Sequence, residues 1–291
     1  MNLYKNNKGS FKVVYLITIG VIATACVIFG IVFRLGKGIN TLFNGIHIGK
    51  SNLEVELNNA TDNDDLVSKS SSVYDGFSSI DVDIDLGKVN ISEGDSFKVD
   101  FDYVGIEEPE ILVDGDHLII EQSSQVDVSL FSFPKTMNGH IDIEVPKGTV
   151  LDVIKIDTDL GEINIKDVAA GDIDVNAALG NIDIETASGN SLSVDAEMGD
   201  IKVEADYYNQ YNFEESMGNI RIKGDGGSLV ANDSMGNIEI EGEISDIRAN
   251  SSMGDVEVDN PQDEGARVDI STAMGKVKYN GQKHGTEFHK N

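Results

Sequence analysis

Leu192-Ser193-Val194-Asp195-Ala196-Glu197-Met198-Gly199-Asp200-Ile201-Lys202-Val203 is one copy of a pattern whose recurrence decides the fold. Its centre returns as Met217-Gly218-Asn219-Ile220, Met235-Gly236-Asn237-Ile238, Met253-Gly254-Asp255-Val256 and Met274-Gly275-Lys276-Val277. With leucine in place of methionine it stands earlier as Leu160-Gly161-Glu162-Ile163 and Leu179-Gly180-Asn181-Ile182. The glycines of these seven copies are spaced by 19, 19, 19, 18, 18 and 21 residues. A fixed period of this length marks stacked units that bury their apolar faces against one another.

Each glycine is flanked by residues alternating with period two, the signature of strands with one buried face. Upstream of Gly199, Leu192, Val194, Ala196 and Met198 share a face; downstream, Ile201 and Val203 do. Glu215 and Asp233 interrupt that face in two copies. The step across each glycine is three rather than two, so a corner is expected there, with a glycine suited to a positive φ. One coil is then two strands, a glycine corner and a polar turn. The expected fold is all-β: a β-helix or β-solenoid of about 19-residue coils with an N-terminal β cap, preceded by one transmembrane helix. The parallel-crossover rule favours right-handed winding. An antiparallel meander with a hairpin at every Met-Gly-Asn/Asp is the competing arrangement, although Gly-Asn is a weaker hairpin signal than Asn-Gly.

Within that grid the methionines are expected to face inward and fill gaps beside the corner. Asn181, Asp200, Asn219, Asn237 and Asp255 are expected to stack as a turn ladder, as amide side chains do along repeating strands. The Gly-Asp steps share something with calcium-binding nonapeptide repeats, but the second glycine and the repeated aspartate of that motif are missing.

The charge is lopsided. Residues 1–50 hold six Lys/Arg and no Asp or Glu, leaving 16 basic against 51 acidic residues in the remainder, a net of −35. Such a surface disfavours nucleic acid, which needs basic contacts, and is compatible with loose association of divalent cations. Val13 to Phe33 is 21 residues without a charge, long enough to span a bilayer. Lys5, Lys8 and Lys12 precede it and Arg34 and Lys37 follow, a slight bias toward a cytoplasmic N-terminus. The expected plan is therefore a cytoplasmic tail over 1–12, a transmembrane signal anchor over 13–33, and a juxtamembrane segment and flexible stalk over 34–72. A β-rich cap region over 73–150, solenoid repeats over 151–280 and a polar tail over 281–291 complete it. The expected location is the bacterial cell membrane, single-pass, with the C-terminal domain extracytoplasmic. In the cap region, Ile111 to Ile120 reads as a hairpin around Asp114-Gly115, and Leu86-Gly87-Lys88-Val89-Asn90-Ile91 as a forerunner of the repeat.

No residue is assigned a catalytic, cofactor-binding or metal-ligating role, and no cofactor is expected. Cys26 is the one cysteine and lies inside the apolar span, so neither a disulfide framework nor a cysteine metal site is available. His47, His117, His140, His284 and His289 fall in no acid-base or metal-ligand spacing. Acidic residues are so abundant that their presence points to no glycosidase pair.

The stretch Ile141-Asp-Ile-Glu-Val-Pro-Lys-Gly-Thr, then Ile154-Lys-Ile-Asp-Thr-Asp-Leu-Gly-Glu-Ile-Asn-Ile, then the Gly-Asn/Asp-Ile/Val copies, resembles a bacterial family of β-strand-repeat domains labelled "putative adhesins", of unknown function. The resemblance covers roughly 73–280. Membrane-anchored members are associated with cell-envelope stress systems of Gram-positive bacteria, which implies an extracytoplasmic role; the family offers no catalytic residues to carry over. Together these readings predict a non-enzymatic, membrane-tethered module for binding or adhesion at the cell envelope, its partner an envelope component or protein. The alternatives are an envelope-stress regulator acting through a membrane partner and, third, a polysaccharide-active enzyme.

Overall fold

The computed structural model describes residues 67–104, 108–122, 138–261 and 264–291. The tail over 1–12, the span over 13–33, and residues 34–66 of the juxtamembrane segment and stalk lie outside the described residues. Among those described, no helix is long and apolar enough to cross a membrane.

Strands carry the fold, as the alternation dictates. In chain order they are β1 (Val67–Tyr74), β2 (Ser79–Leu86), β3 (Lys88–Gly94), β4 (Phe97–Val104), β5 (Glu110–Asp114), β6 (His117–Gln122) and β7 (Asn138–Pro146). The repeats supply β8 (Val150–Leu160), β9 (Ile163–Lys166), β10 (Ala169–Leu179), β11 (Ile182–Met198), β12 (Ile201–Met217) and β13 (Ile220–Met235). They continue with β14 (Ile238–Glu241), β15 (Ile244–Ser251), β16 (Val256–Asp259), β17 (Arg267–Thr272) and β18 (Val277–Tyr279), and the chain ends with β19 (Gln282–Lys283) and β20 (Glu287–Lys290).

The repeats wind into a β-solenoid of seven turns. Each coil has a short arm, a bend and a long arm, and the glycine corner leads into the next short arm. Pairing between coils is parallel and in register: Ile182 lies opposite Ile201, which lies opposite Ile220, and Val175 opposite Val194, opposite Phe213. Parallel pairing rules out the hairpin meander. Short arms stack in one column (β3, β9, early β11, β12 and β13, then β14, β16, β18) and long arms in the other (β2, β8, β10, late β11, β12 and β13, then β15, β17).

The core is a grid of columns. Short arms contribute Val89, Ile163, Ile182, Ile201, Ile220, Ile238, Val256 and Val277, all buried, with a second column two residues on from Ile91 to Tyr279. Long arms contribute Ile80, Ile154, Ile173, Leu192, Tyr211, Leu229, Ile247 and Val268, and beside them Val82, Ile156, Val175, Val194, Phe213, Ala231, Ala249 and Ile270. Bulk is balanced between neighbours: Tyr211 fits because the next coil carries Gly226, where an added Cβ would stand 2.6 Å from the Tyr211 ring. The ring's hydroxyl donates to the Asp225 carbonyl at 2.9 Å.

Both ends finish in antiparallel strands. The Leu86-Gly87 forerunner forms a coil in register with Leu160-Gly161, although 74 residues separate them. That β2–β3 coil sits between β8–β9 on one side and β6–β7, which come later in the chain, on the other. Beyond it, β4 pairs antiparallel with β7, β1 with β4, and β5 with β6 around Asp114-Gly115, the hairpin the sequence predicts. At the far end the structure departs from expectation. Residues 281–291, read as a polar tail, form β19 and β20, which pair antiparallel with β18 and β17. Phe288 stacks on Tyr279 with ring centroids 4.6 Å apart, closing the last coil with an apolar contact. An edge strand left open would template aggregation, so both closures protect the stack.

Candidate functional site

The two corners of the coil and its outward faces are the surfaces available for function. At the glycine corner the chain passes so close to the previous coil that no side chain fits. A Cβ on Gly218 would lie 1.7 Å from the Gly199 carbonyl oxygen, and one on Gly236 1.5 Å from that of Gly218. Close approach, not φ, is the shared requirement: Gly87, Gly180 and Gly199 have φ near +145° to +149°, while the other corner glycines do not fall in the positive range. The following residue builds the expected ladder. Asp200 N–H donates to Asn181 Oδ1 at 3.0 Å, Asn219 N–H to Asp200 Oδ1 at 2.9 Å, and Asn237 N–H to Asn219 Oδ1 at 3.1 Å. Asp255 and Lys276 N–H groups continue it at 2.8 Å each. The Oδ1 oxygens that a calcium reading needs are therefore engaged by backbone donors.

The methionines are not in the core. Met198 is 40% exposed and Met274 64%, Leu160 in the same column is 41% exposed, and Met217, Met235 and Met253 are half-buried. The alternation ends two residues earlier than expected, at Thr158, Ala177, Ala196, Glu215, Asp233, Ser251 and Thr272, all buried. There the chain starts its corner and carries the next side chain to the outside. Four of the five polar members of that last inward column bond to the corner backbone, while Thr158 Oγ1 is buried without a partner among the described residues. Glu215 Oε1 accepts from Met217 N–H at 3.0 Å and Asp233 Oδ1 from Met235 N–H at 2.9 Å. Ser251 and Thr272 hydroxyls donate to the Gly236 and Gly254 carbonyls at 2.9 and 2.7 Å.

Glu215 and Asp233, which interrupt the apolar pattern in sequence, are thus opposed in adjacent coils, each 4% exposed. Their second oxygens, Glu215 Oε2 and Asp233 Oδ2, are buried without a hydrogen-bond partner. Burial pushes Glu215 up to about 7, with the Asp233 charge adding and the Met217 N–H opposing. Burial pushes Asp233 up to about 6 against the pull of the Met235 N–H. Perturbed carboxyls often mark catalysis, but these are enclosed and line neither depression described below.

At the opposite bend two adjoining depressions of about 380 and 450 Å³ share Ala205, Asp206 and Lys223 and form one trough across several coils. Its walls carry Glu93, Asp167, Glu185, Glu204, Asp206, Asp225, Glu241, Glu243 and Asp259 against a single lysine, Lys223. Glu204 is held below its usual range by the hydrogen bond and charge of Lys202. The short-arm face beside the trough is ordered by cross-coil pairs: Lys202 with Asp183 at 3.4 Å, Arg221 with Glu239 at 2.8 Å, and Lys278 with Glu257. Sequence reasoning missed the trough, because periodicity does not say where the bend lies.

The described histidines stay apart from it. His117 stands 3.5 Å from Asp116 and His140 3.6 Å from Asp142 near the N-terminal cap; His289 stands 2.8 Å from Asp269 and His284 packs on Phe288 at the other end. His47 and Cys26 lie outside the described residues. Among those described, no group of three or more His, Cys, Asp or Glu side chains is arranged to hold a metal.

The profile of the family described as Toastrack DUF4097 matches residues 77–291. No curated protein matches the chain. Among solved structures, it is similar to a "putative adhesin" of Bacteroides fragilis NCTC 9343, with 17% identity over 74% of this chain and 97% of that one, at a TM-score of 0.42. A "putative lipid binding protein" of Parabacteroides distasonis ATCC 8503 shares 11% identity over 73% and 96%, at a TM-score of 0.44. A "putative cell adhesion protein" of Clostridium sporogenes ATCC 15579 shares 11% over 66% and 99%, at a TM-score of 0.31.

Proposed function

We propose that the chain, which belongs to the Toastrack DUF4097 family, is a non-enzymatic module, tethered to the cell membrane by residues 13–33, that presents a rigid acidic β-solenoid outside the cytoplasm to a component of the cell envelope. The observation that carries the reading is the trough: a shallow, continuous, almost wholly anionic groove on a stack of uniform coils. A scaffold of this kind offers an extended surface whose shape is fixed by its neighbours, the usual binding mode of solenoids. Carboxylates in such number attract cationic groups on a partner, or divalent ions that bridge to an anionic one.

The same geometry supports non-enzymatic function over a polysaccharide-active enzyme. Glycoside hydrolysis needs an acid with a raised pKa facing the substrate across from a second carboxylate. The two carboxyls whose pKa burial raises furthest, Glu215 and Asp233, are sealed inside the corner. Capture of envelope fractions by the immobilised full-length protein tests the proposal. Retention that falls as salt rises toward 1 M, where the screening length shrinks to about 3 Å, is the expected result. No retained component at any salt or divalent concentration refutes it.

A further inference from the structure

We propose that the column Met198, Met217, Met235, Met253 and Met274 is a binding strip for a soft monovalent cation, copper(I) or silver(I), held between thioethers of neighbouring coils. Five of the seven methionines in the chain occupy this one position, in five consecutive coils. The column lies outside the core, since all five side chains are partly exposed, although the first two repeat copies fill it with Leu160 and Leu179. Register stacks them: Leu179 lies opposite Met198, Met198 opposite Met217, and Met217 opposite Met235. The glycine column carries the same stacking through Gly254 and Gly275 to Met253 and Met274.

The spacing suits the chemistry. Parallel coils stand about 4.8 Å apart. Two collinear metal–sulfur bonds of about 2.3 Å place their sulfurs about 4.6 Å apart. Thioethers select soft copper(I) over calcium or magnesium, and Met side chains are flexible enough to settle the remaining difference. Two residues past the methionines, the exposed Asp200 and Asp255 of the turn ladder add negative charge beside the column. Binding is ligand exchange, with no electron transferred.

The test uses the full-length protein in detergent, with Cys26→Ser to remove the one thiol. Silver(I), and copper(I) under anaerobic conditions in competition with bicinchoninate, are titrated in; metal-edge X-ray absorption reads the ligand shell. About two ions per chain are expected, one per thioether pair, with a sulfur shell at about 2.3 Å for copper(I) and a longer one for silver(I). Replacing all five methionines by leucine, which the column already accepts at 160 and 179, weakens binding by at least about tenfold. If that variant fails to fold, Met217→Leu with Met235→Leu serves instead. It leaves one adjacent pair, Met253 and Met274, and halves the bound metal. A shell of oxygen or nitrogen alone, or undiminished binding in a folded variant, overturns the proposal. So does a five-fold variant that changes sedimentation and leaves metal affinity intact, since the column would then be a contact between copies.

Discussion

Gly218→Ala isolates the close approach on which the coil stack depends. The added Cβ would sit 1.7 Å from the Gly199 carbonyl oxygen and 2.6 Å from its carbon, whereas Cβ contacts under 3.0 Å essentially do not occur. Both neighbours are backbone, so no flexible side chain can move aside. The coils must part by more than 1 Å at the corner, the difference between 3.0 and 1.7 Å. The hydrogen bonds that close the corner, Gly199 N–H to Met217 O at 3.1 Å and Ile201 N–H to Asn219 O at 2.9 Å, would then stretch past bonding range. Two lost backbone bonds at about 1 kcal/mol each and overpacking of about 1–3 kcal/mol give a cost of about 3–5 kcal/mol. The control is Gly115→Ala in the cap hairpin, where nothing lies within 4 Å and only the positive φ of +66° is strained; about 1 kcal/mol is expected there. Because a solenoid can open coil by coil, the readout is amide exchange at residues 199–222 together with the denaturation midpoint of the full-length protein. If Gly218→Ala costs no more than Gly115→Ala, or leaves exchange at 199–222 unchanged, the corner reasoning fails.

Three further outcomes follow from the same structure. The folded chain holds protons on Glu215 and Asp233 that the unfolded chain releases near pH 4, so stability is full below that pH, falls as pH rises, and levels off above about 7. Glu215→Gln should remove on the order of 3 kcal/mol of that fall, read as a flatter melting temperature between pH 5 and pH 8; an unchanged slope contradicts the burial assignment. Asn219→Ala removes the acceptor for the Asn237 N–H and side-chain amide, and should cost about 1 kcal/mol with faster exchange at Asn237; unaltered exchange there would mean the ladder carries no load. Arg221→Ala breaks an ion pair whose side chains are 64% and 54% exposed; a loss under about 1 kcal/mol is expected by thermal melting, and a larger one would show that the short-arm ladder acts as a coupled network.

Period and parity were legible in the sequence because they are local properties of a strand. Gly199 and its counterparts marked the corners, Ile201 and Val203 the inward face, and Asn219 the turn ladder, each confirmed in register. Strand termination was less legible. Alternation alone carries Met198 inward with Ala196; the corner between them reverses it, and only the coil's path shows that. The signal was nonetheless present in Glu215 and Asp233, polar residues on an apolar face, which are inside-corner caps rather than errors in the pattern. The end of the chain misled for a similar reason. One phenylalanine, Phe288, among polar neighbours is enough to seat a strand on Tyr279. The placement of β2 and β3 between coils formed later in the chain rests on pairings 74 residues apart, which no local pattern encodes.

The functional account rests on the solenoid standing outside the cytoplasm, and labelling on intact cells addresses that directly. Ser252 is exposed at the corner of a late coil. In a Cys26→Ser background, Ser252→Cys supplies one thiol for a membrane-impermeant maleimide. Labelling of intact cells to the level seen after permeabilisation is the predicted result. Labelling only after permeabilisation would place the acidic trough inside the cell and contradict the account.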